Sequence, residues 1–135
     1  MVLPHEEHYE DKRQFPRLKL DVPALILCVG GEMVEAQVYD ISPDGLQIRC
    51  SRKAALVINP GAKSVTVKDK VMVNVIFNLP SNNKQIKVVS NVYYFTLTQD
   101  GSDNDVAFGL KFKKFDGKGA KYVEQFFMHE LEPSI

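Results

Sequence analysis

Two arginines stand four residues apart in Arg13-Gln14-Phe15-Pro16-Arg17, and a carboxylate, a hydroxyl and a glycine follow in Asp40-Ile41-Ser42-Pro43-Asp44-Gly45. A guanidinium is a planar fork that meets two phosphate oxygens at once. The same fork fits the O6 and N7 edge of guanine. A carboxylate accepts from the N1–H and amino group on the opposite edge of that base, and a serine hydroxyl adds a further donor or acceptor. The two clusters together therefore offer phosphate recognition and guanine recognition from both edges.

That demand is specific, and a cyclic guanine dinucleotide satisfies it. The local sequence also suits the task. Pro16 restricts Phe15 to extended conformations, so the first cluster is a stiff, non-helical approach that presents both arginines to one ligand. The second cluster lies where one strand turns into the next: Asp40 ends a strand, Ser42 can bond within the turn, and Gly45 permits either positive φ or close backbone approach.

The elements that must position these groups read mostly as strands. Branched and aromatic residues in alternation mark strands over 20–29, 32–40, 46–50, 71–77, 86–98 and 106–113. Pro23 asks for an edge position or the beginning of its strand. Gly30-Gly31 and Pro43-Asp44-Gly45 mark tight turns. Residues 53–58 can form a helical turn that Pro60-Gly61 would end. Val123, Phe126, Phe127 and Leu131 fall at spacings of three and four, which predicts an amphipathic helix over 119–131. The expected fold is all-β: a six-stranded antiparallel β-barrel over about 18–115, closed by a C-terminal α-helix over about 119–131. Residues 1–12, polar and mixed in charge, read as a flexible N-terminal arm ahead of a single domain over 13–135.

Composition bounds the function. The chain has 135 residues, 44% of them hydrophobic and 25% charged, which is enough for one ordinary core and too apolar for global disorder. Its net charge is zero. A nucleic-acid coat or a membrane-surface binder advertises bulk positive charge, so neither nucleic acid nor membrane is expected as a partner, and any anionic ligand must be held by a local basic cluster. No apolar run reaches the ~20 residues that span a bilayer, and the acidic start does not read as a secretory signal. Cys28 and Cys50 sit in apolar stretches; two free thiols in a reducing cytoplasm are the simplest reading, although a single disulfide fits the count as well.

The two clusters, in this order and at this separation, resemble the RxxxR and (D/N)xSxxG signatures of PilZ domains, which bind cyclic di-GMP. FNLP (77–80), the valine-rich strand near 88–92 and FGLKF (108–112) resemble weaker parts of the family pattern. The resemblance covers residues 12–115 and implies a receptor whose ligand-binding residues are Arg13, Arg17, Asp40 and Ser42, with Gly45 shaping the turn. Segment 51–70 is longer than the family pattern. Lys12, just before the first arginine, adds a positive charge where the family tunes one ligand against a stacked pair. The resemblance further implies signalling to a separate protein partner, in motility or biofilm control, by a monomer or weak dimer.

Other candidates read more plainly as structure. His5-Glu6-Glu7-His8 spaces its histidines three apart, not four, and belongs to a solvated tail, so no metal is expected. Asp100-Gly101-Ser102-Asp103-Asn104-Asp105 lacks the sixth-position glycine and twelfth-position glutamate of an EF-hand and reads as a hairpin loop. Ser42 lies outside any nucleophile elbow, neither cysteine has a histidine near it in sequence, and Phe126 and Phe127 read as core. No catalytic residue, and no cofactor beyond the ligand itself, is expected. The competing readings are a PilZ-like protein–protein adaptor that binds no nucleotide, against which the intact motifs argue, and a single-stranded nucleic-acid barrel, against which the balanced charge argues.

Overall fold

Alternating apolar and polar residues give each extended segment a face for the interior and a face for water, and six such segments can close on themselves only as a barrel. The computed structural model describes residues 17–60, 71–80, 83–98 and 103–131. Strands β1 (Leu18–Cys28), β2 (Met33–Ser42), β3 (Gly45–Cys50), β4 (Val71–Asn78), β5 (Gln85–Leu97) and β6 (Val106–Phe115) form a closed barrel in the order β1-β2-β3-β6-β5-β4. Every neighbouring pair is antiparallel, and β1 against β4 completes the circle. The sequence expectation of a six-stranded antiparallel barrel is met.

The interior is filled by inward side chains such as Ile26, Ile41, Ile48, Val75, Val88 and Phe108, all fully buried. Burying one such side chain contributes about 1.5–3 kcal/mol. Pro23 lies where the β1–β4 ladder has not begun, since that pairing starts at Ala24, so the edge-like place expected for it exists even in a closed barrel. Gly31, at φ 95°, donates its N–H to the Cys28 carbonyl at 3.0 Å and turns β1 into β2.

Among the described residues, two helices pack against the barrel's core. Helix α1 (Arg52–Ile58) starts at Ser51, whose side chain accepts from the Ala54 N–H at 3.1 Å, and it buries Ala54 and Ile58. Its last helical residue precedes Asn59 and Pro60, so α1 accounts for the first part of the long segment 51–70; residues 61–70 lie outside the described set. Helix α2 (Gly119–Leu131) buries Val123, Phe126 and Phe127. Leu131, expected on the same stripe, is instead exposed. Cys28 and Cys50 are both free thiols. Burial pushes the Cys50 thiol up from 9.0 to about 12, with Asp105 adding to the shift.

Strict alternation breaks at three places beside Asp40 and Tyr94. The pairing register shifts between Lys19 and Val22 in β1, between Val38 and Asp40 in β2, and between Val92 and Tyr94 in β5. Each is a bulge, in which one strand carries an extra residue and re-aims the side chains around it. In β1 the bulge places Asp21 at φ 58°, a region that aspartate tolerates better than most residues, and its carboxylate accepts from Gln37 Nε2 at 2.7 Å. In β2, buried Val38 and Ile41 are three apart, so Tyr39 and Asp40 both face outward. In β5, Tyr93 is the extra residue, and the tyrosine pair Tyr93–Tyr94 interrupts the inner row between buried Val92 and the core-packed Phe95.

Candidate functional site

Arg17 is the residue immediately before β1, and Asp40 lies opposite the start of that strand because Leu18 pairs with Ile41 and Lys19 with Asp40. The structure brings the two together. Arg17 Nε and Nη2 both donate to Asp40 Oδ1, at 3.0 and 2.7 Å. The side chains retain 24% and 14% exposure, so the pair is partly shielded from water yet reachable from it. Burial alone lowers the pKa of Arg17, but the hydrogen bond and charge of Asp40 outweigh that effect, with the nearby phenols of Tyr93 and Tyr94 adding to them, and the net shift is upward. Arg17 therefore stays a cation throughout the accessible pH range.

Asp40 does not end its strand, as the sequence suggested. The β2–β3 ladder continues to Ser42 opposite Gly45, and only Pro43 and Asp44 form the turn. Ser42 is buried, and its hydroxyl donates to Asp44 Oδ1 at 2.6 Å, so in this state it serves the turn. Gly45 resolves the choice left open by sequence: a Cβ there would run into the Leu110 carbonyl and crowd Lys111 Cα on β6. Close approach, and not positive φ, requires this glycine. Lys12 and Arg13 lie outside the described residues.

Residues that the motifs do not mark complete the same outer face. Gln47 pairs with Asp40 on one side and with Gly109 on the other, and Gly109 pairs with Tyr94. Gln47 Nε2 donates to the Tyr94 hydroxyl at 3.0 Å, and Arg49 Nε donates to Gln47 Oε1 at 3.2 Å. The Arg49 guanidinium also stacks 3.6 Å over the Tyr39 ring, and Lys111 sits 5.2 Å from the Tyr93 ring. Arg17, Lys19, Arg49 and Lys111 outnumber Asp21, Asp40 and Asp44 here, so this face is locally positive although the chain is neutral. The motif reading missed these residues; the signal that could have found them is the tandem Tyr93-Tyr94 inside a strand that should alternate.

Elsewhere the surface offers different chemistry. An apolar groove of about 800 Å³ runs between Pro43, Phe115 and α2 residues such as Phe127 and Met128, and it lacks a phosphate-reading arginine. Among the described residues, no group of three or more His, Cys, Asp or Glu side chains is placed to hold a metal, and no helix is long and apolar enough to cross a membrane.

A small closed β-barrel with its polar chemistry on the outer wall, next to the chain's approach to β1, is a recognisable kind of module. The chain belongs to the PilZ domain family: the PilZ domain model matches residues 11–129. No curated protein matches the sequence significantly. Among solved structures, the Bacillus subtilis inhibitor of motility MotI/DgrA is similar at TM-score 0.63 and 16% identity, over 88% of this chain and 51% of that one. The K. pneumonia MrkH–c-di-GMP complex matches at TM-score 0.65 and 17% identity, over 89% and 52%. The PilZ domain with c-di-GMP of YcgR from Escherichia coli matches at 0.60 and 8% identity, over 87% and 90%. This chain thus spans about half the length of the MotI/DgrA and MrkH chains, and the likeness at these identities is one of fold.

Proposed function

We propose that this PilZ domain is a receptor for cyclic di-GMP and that the ligand sits on the outer wall around Arg17 and Asp40. The observation that carries the reading is the direct contact of Arg17 with Asp40 at 2.7 Å, which unites the two sequence clusters in one partly shielded, locally positive place. Arg17 there suits a phosphate or the O6/N7 edge of guanine, and Asp40 suits the opposite edge. Lys12 and Arg13, on the approach to β1, add cationic groups for the phosphates. Ser42 joins the site by turning its hydroxyl from Asp44 to the base. The solved MrkH and YcgR structures that hold c-di-GMP support the choice of ligand.

In this reading the domain binds and does not catalyse. Residues 13–135 form the binding unit and 1–12 its leading arm. The domain works in the cytoplasm, and the bound ligand changes the surface offered to a separate protein partner. Motility or biofilm control is the process proposed for it, in keeping with the similarity to an inhibitor of motility. Calorimetric titration with cyclic di-GMP tests the reading: saturable binding, with GMP much weaker, is expected. Arg13→Ala and Arg17→Ala should each weaken binding about tenfold to a hundredfold, the worth of one charge-assisted contact of ~1.5–3 kcal/mol. Wild-type affinity in either variant contradicts the site.

A further inference from the structure

We infer that the Tyr93–Tyr94 corner is the base-stacking station of the nucleotide site, with a purine lying against the Tyr94 ring while its edge is read at Asp40. The inference rests on the proposed cyclic di-GMP reading and adds residues to it that lie outside both sequence motifs.

The geometry is specific. Asp40, Gln47, Gly109 and Tyr94 form one cross-strand row over β2, β3, β6 and β5. Adjacent strands lie ~4.8 Å apart, so the ends of this row are about 14 Å apart at the backbone. The Tyr94 side chain closes most of that gap. It lies across β6 over Gly109, where a Cβ would collide with the ring, and its hydroxyl reaches β3 to accept from Gln47 Nε2 at 3.0 Å. Tyr93 packs against it at 86° with ring centroids 4.8 Å apart, which makes a right-angled aromatic corner.

Each part of this arrangement has a reason that a plain barrel wall would not supply. The β5 bulge puts two successive tyrosines at the surface where alternation would bury one of them. Glycine at 109 is the one residue that leaves room for a ring to lie down on β6. Gln47 holds that ring from the Asp40 side and is itself held by Arg49. Gln47, which holds the Tyr94 hydroxyl, is the cross-strand neighbour of Asp40, and Asp40 in turn holds Arg17, so a base on the corner has the arginine and the carboxylate within one nucleotide's reach. An aromatic face stacks any base, so the corner adds affinity, while Asp40 reads hydrogen-bonding groups that only guanine presents.

The test compares cyclic di-GMP with cyclic di-AMP on the full chain, by calorimetry and by tyrosine emission, which no tryptophan obscures since the chain has five tyrosines and no tryptophan. Tyr94→Leu should weaken cyclic di-GMP about tenfold, the scale of one lost stacking contact, without changing the preference for guanine over adenine. Gly109→Ala, which displaces the ring, should weaken binding in the same direction. Tyr94→Phe keeps the ring and should bind within about threefold of wild type. Cyclic di-GMP should quench wild-type emission, and Tyr94→Phe should remove a large part of that quench, a readout that survives even if Tyr94→Leu fails to fold. Undiminished affinity in Tyr94→Leu, or a quench unchanged in Tyr94→Phe, overturns the stacking assignment while the losses in Arg17→Ala and Asp40→Ala keep the site itself. No binding by the wild type overturns both.

Discussion

Replacing Asp40 by alanine separates two roles that the proposed function gives to one carboxylate. In the free protein Asp40 holds Arg17 through two hydrogen bonds that converge on Oδ1, at 3.0 and 2.7 Å. In the bound state it is assigned to guanine. Partly exposed ion pairs are worth little, and Arg17, with 24% of its side chain in water, can turn outward when its partner is lost. The stability cost of Asp40→Ala should therefore be about 1 kcal/mol, a fall in melting temperature of roughly 3–6 °C for a domain of this size. For binding, the lost contacts to the guanine edge cost ~1.5–3 kcal/mol. Freeing Arg17 from its competing partner returns about 1 kcal/mol. The net loss is roughly twofold to thirtyfold in affinity. Arg17→Ala has no such return, since it removes the cation and leaves a carboxylate facing the ligand phosphates. It should be the more damaging variant. Titration calorimetry of both variants, with thermal melts followed by circular dichroism, decides the matter. An Asp40→Ala variant that binds like wild type refutes the guanine assignment. One that has lost its β-sheet spectrum refutes the claim that Asp40 serves binding before folding.

Gly45→Ala should destabilise the domain by about 1–3 kcal/mol, because the new methyl meets β6 backbone that cannot step aside, and its urea midpoint should drop accordingly; an unchanged midpoint would show that the strands can part there. The Cys50 thiol keeps its proton in the folded state to about pH 12 but loses it near pH 9 when unfolded. Its contribution is thus complete below about pH 9 and declines as pH rises toward 12, at a slope approaching 1.4 kcal/mol per unit. Urea melts between pH 8 and 10.5 should show a steeper loss in wild type than in Cys50→Ala, and equal slopes would contradict the burial argument. Lys12 supplies charge without a stacking fork, and a stacked pair of ligands gathers four phosphates, so calorimetric stoichiometry near two is expected, falling toward one in Lys12→Leu. A wild-type ratio of one would show that charge at this position is not enough.

Much of this was legible in sequence because it depends on short-range pattern. Alternation over residues 71–77 and 106–113 reports an inner and an outer face, and the spacing of Val123, Phe126 and Phe127 reports a helix stripe, whatever the rest of the chain does. The Asp40–Gly45 cluster announces a turn by composition alone, and the arginines announce an anion by their chemistry. What misled was equally local. Asp40 read as a strand end because a Pro-Asp-Gly turn follows closely, yet pairing with Gly45 carries β2 two residues further.

The sequence by itself determined the strands, the C-terminal helix and the kinds of group available for a ligand, since each is a property of residues close together in the chain. Only the tertiary structure decided which of those groups meet. Barrel closure sets β3 beside β6 and β6 beside β5, so Gln47, Gly109 and Tyr94 share a row with Asp40 although 62 positions separate Gln47 from Gly109 in the chain. The bulges that turn Tyr39 and Tyr93 outward exist only as mismatches between two paired strands, which no single strand can express. Gly45 is required by the Leu110 carbonyl, and the Arg17–Asp40 pair by the register of β1 on β2. These are facts of pairing between strands, and pairing is settled by the closing of the whole barrel.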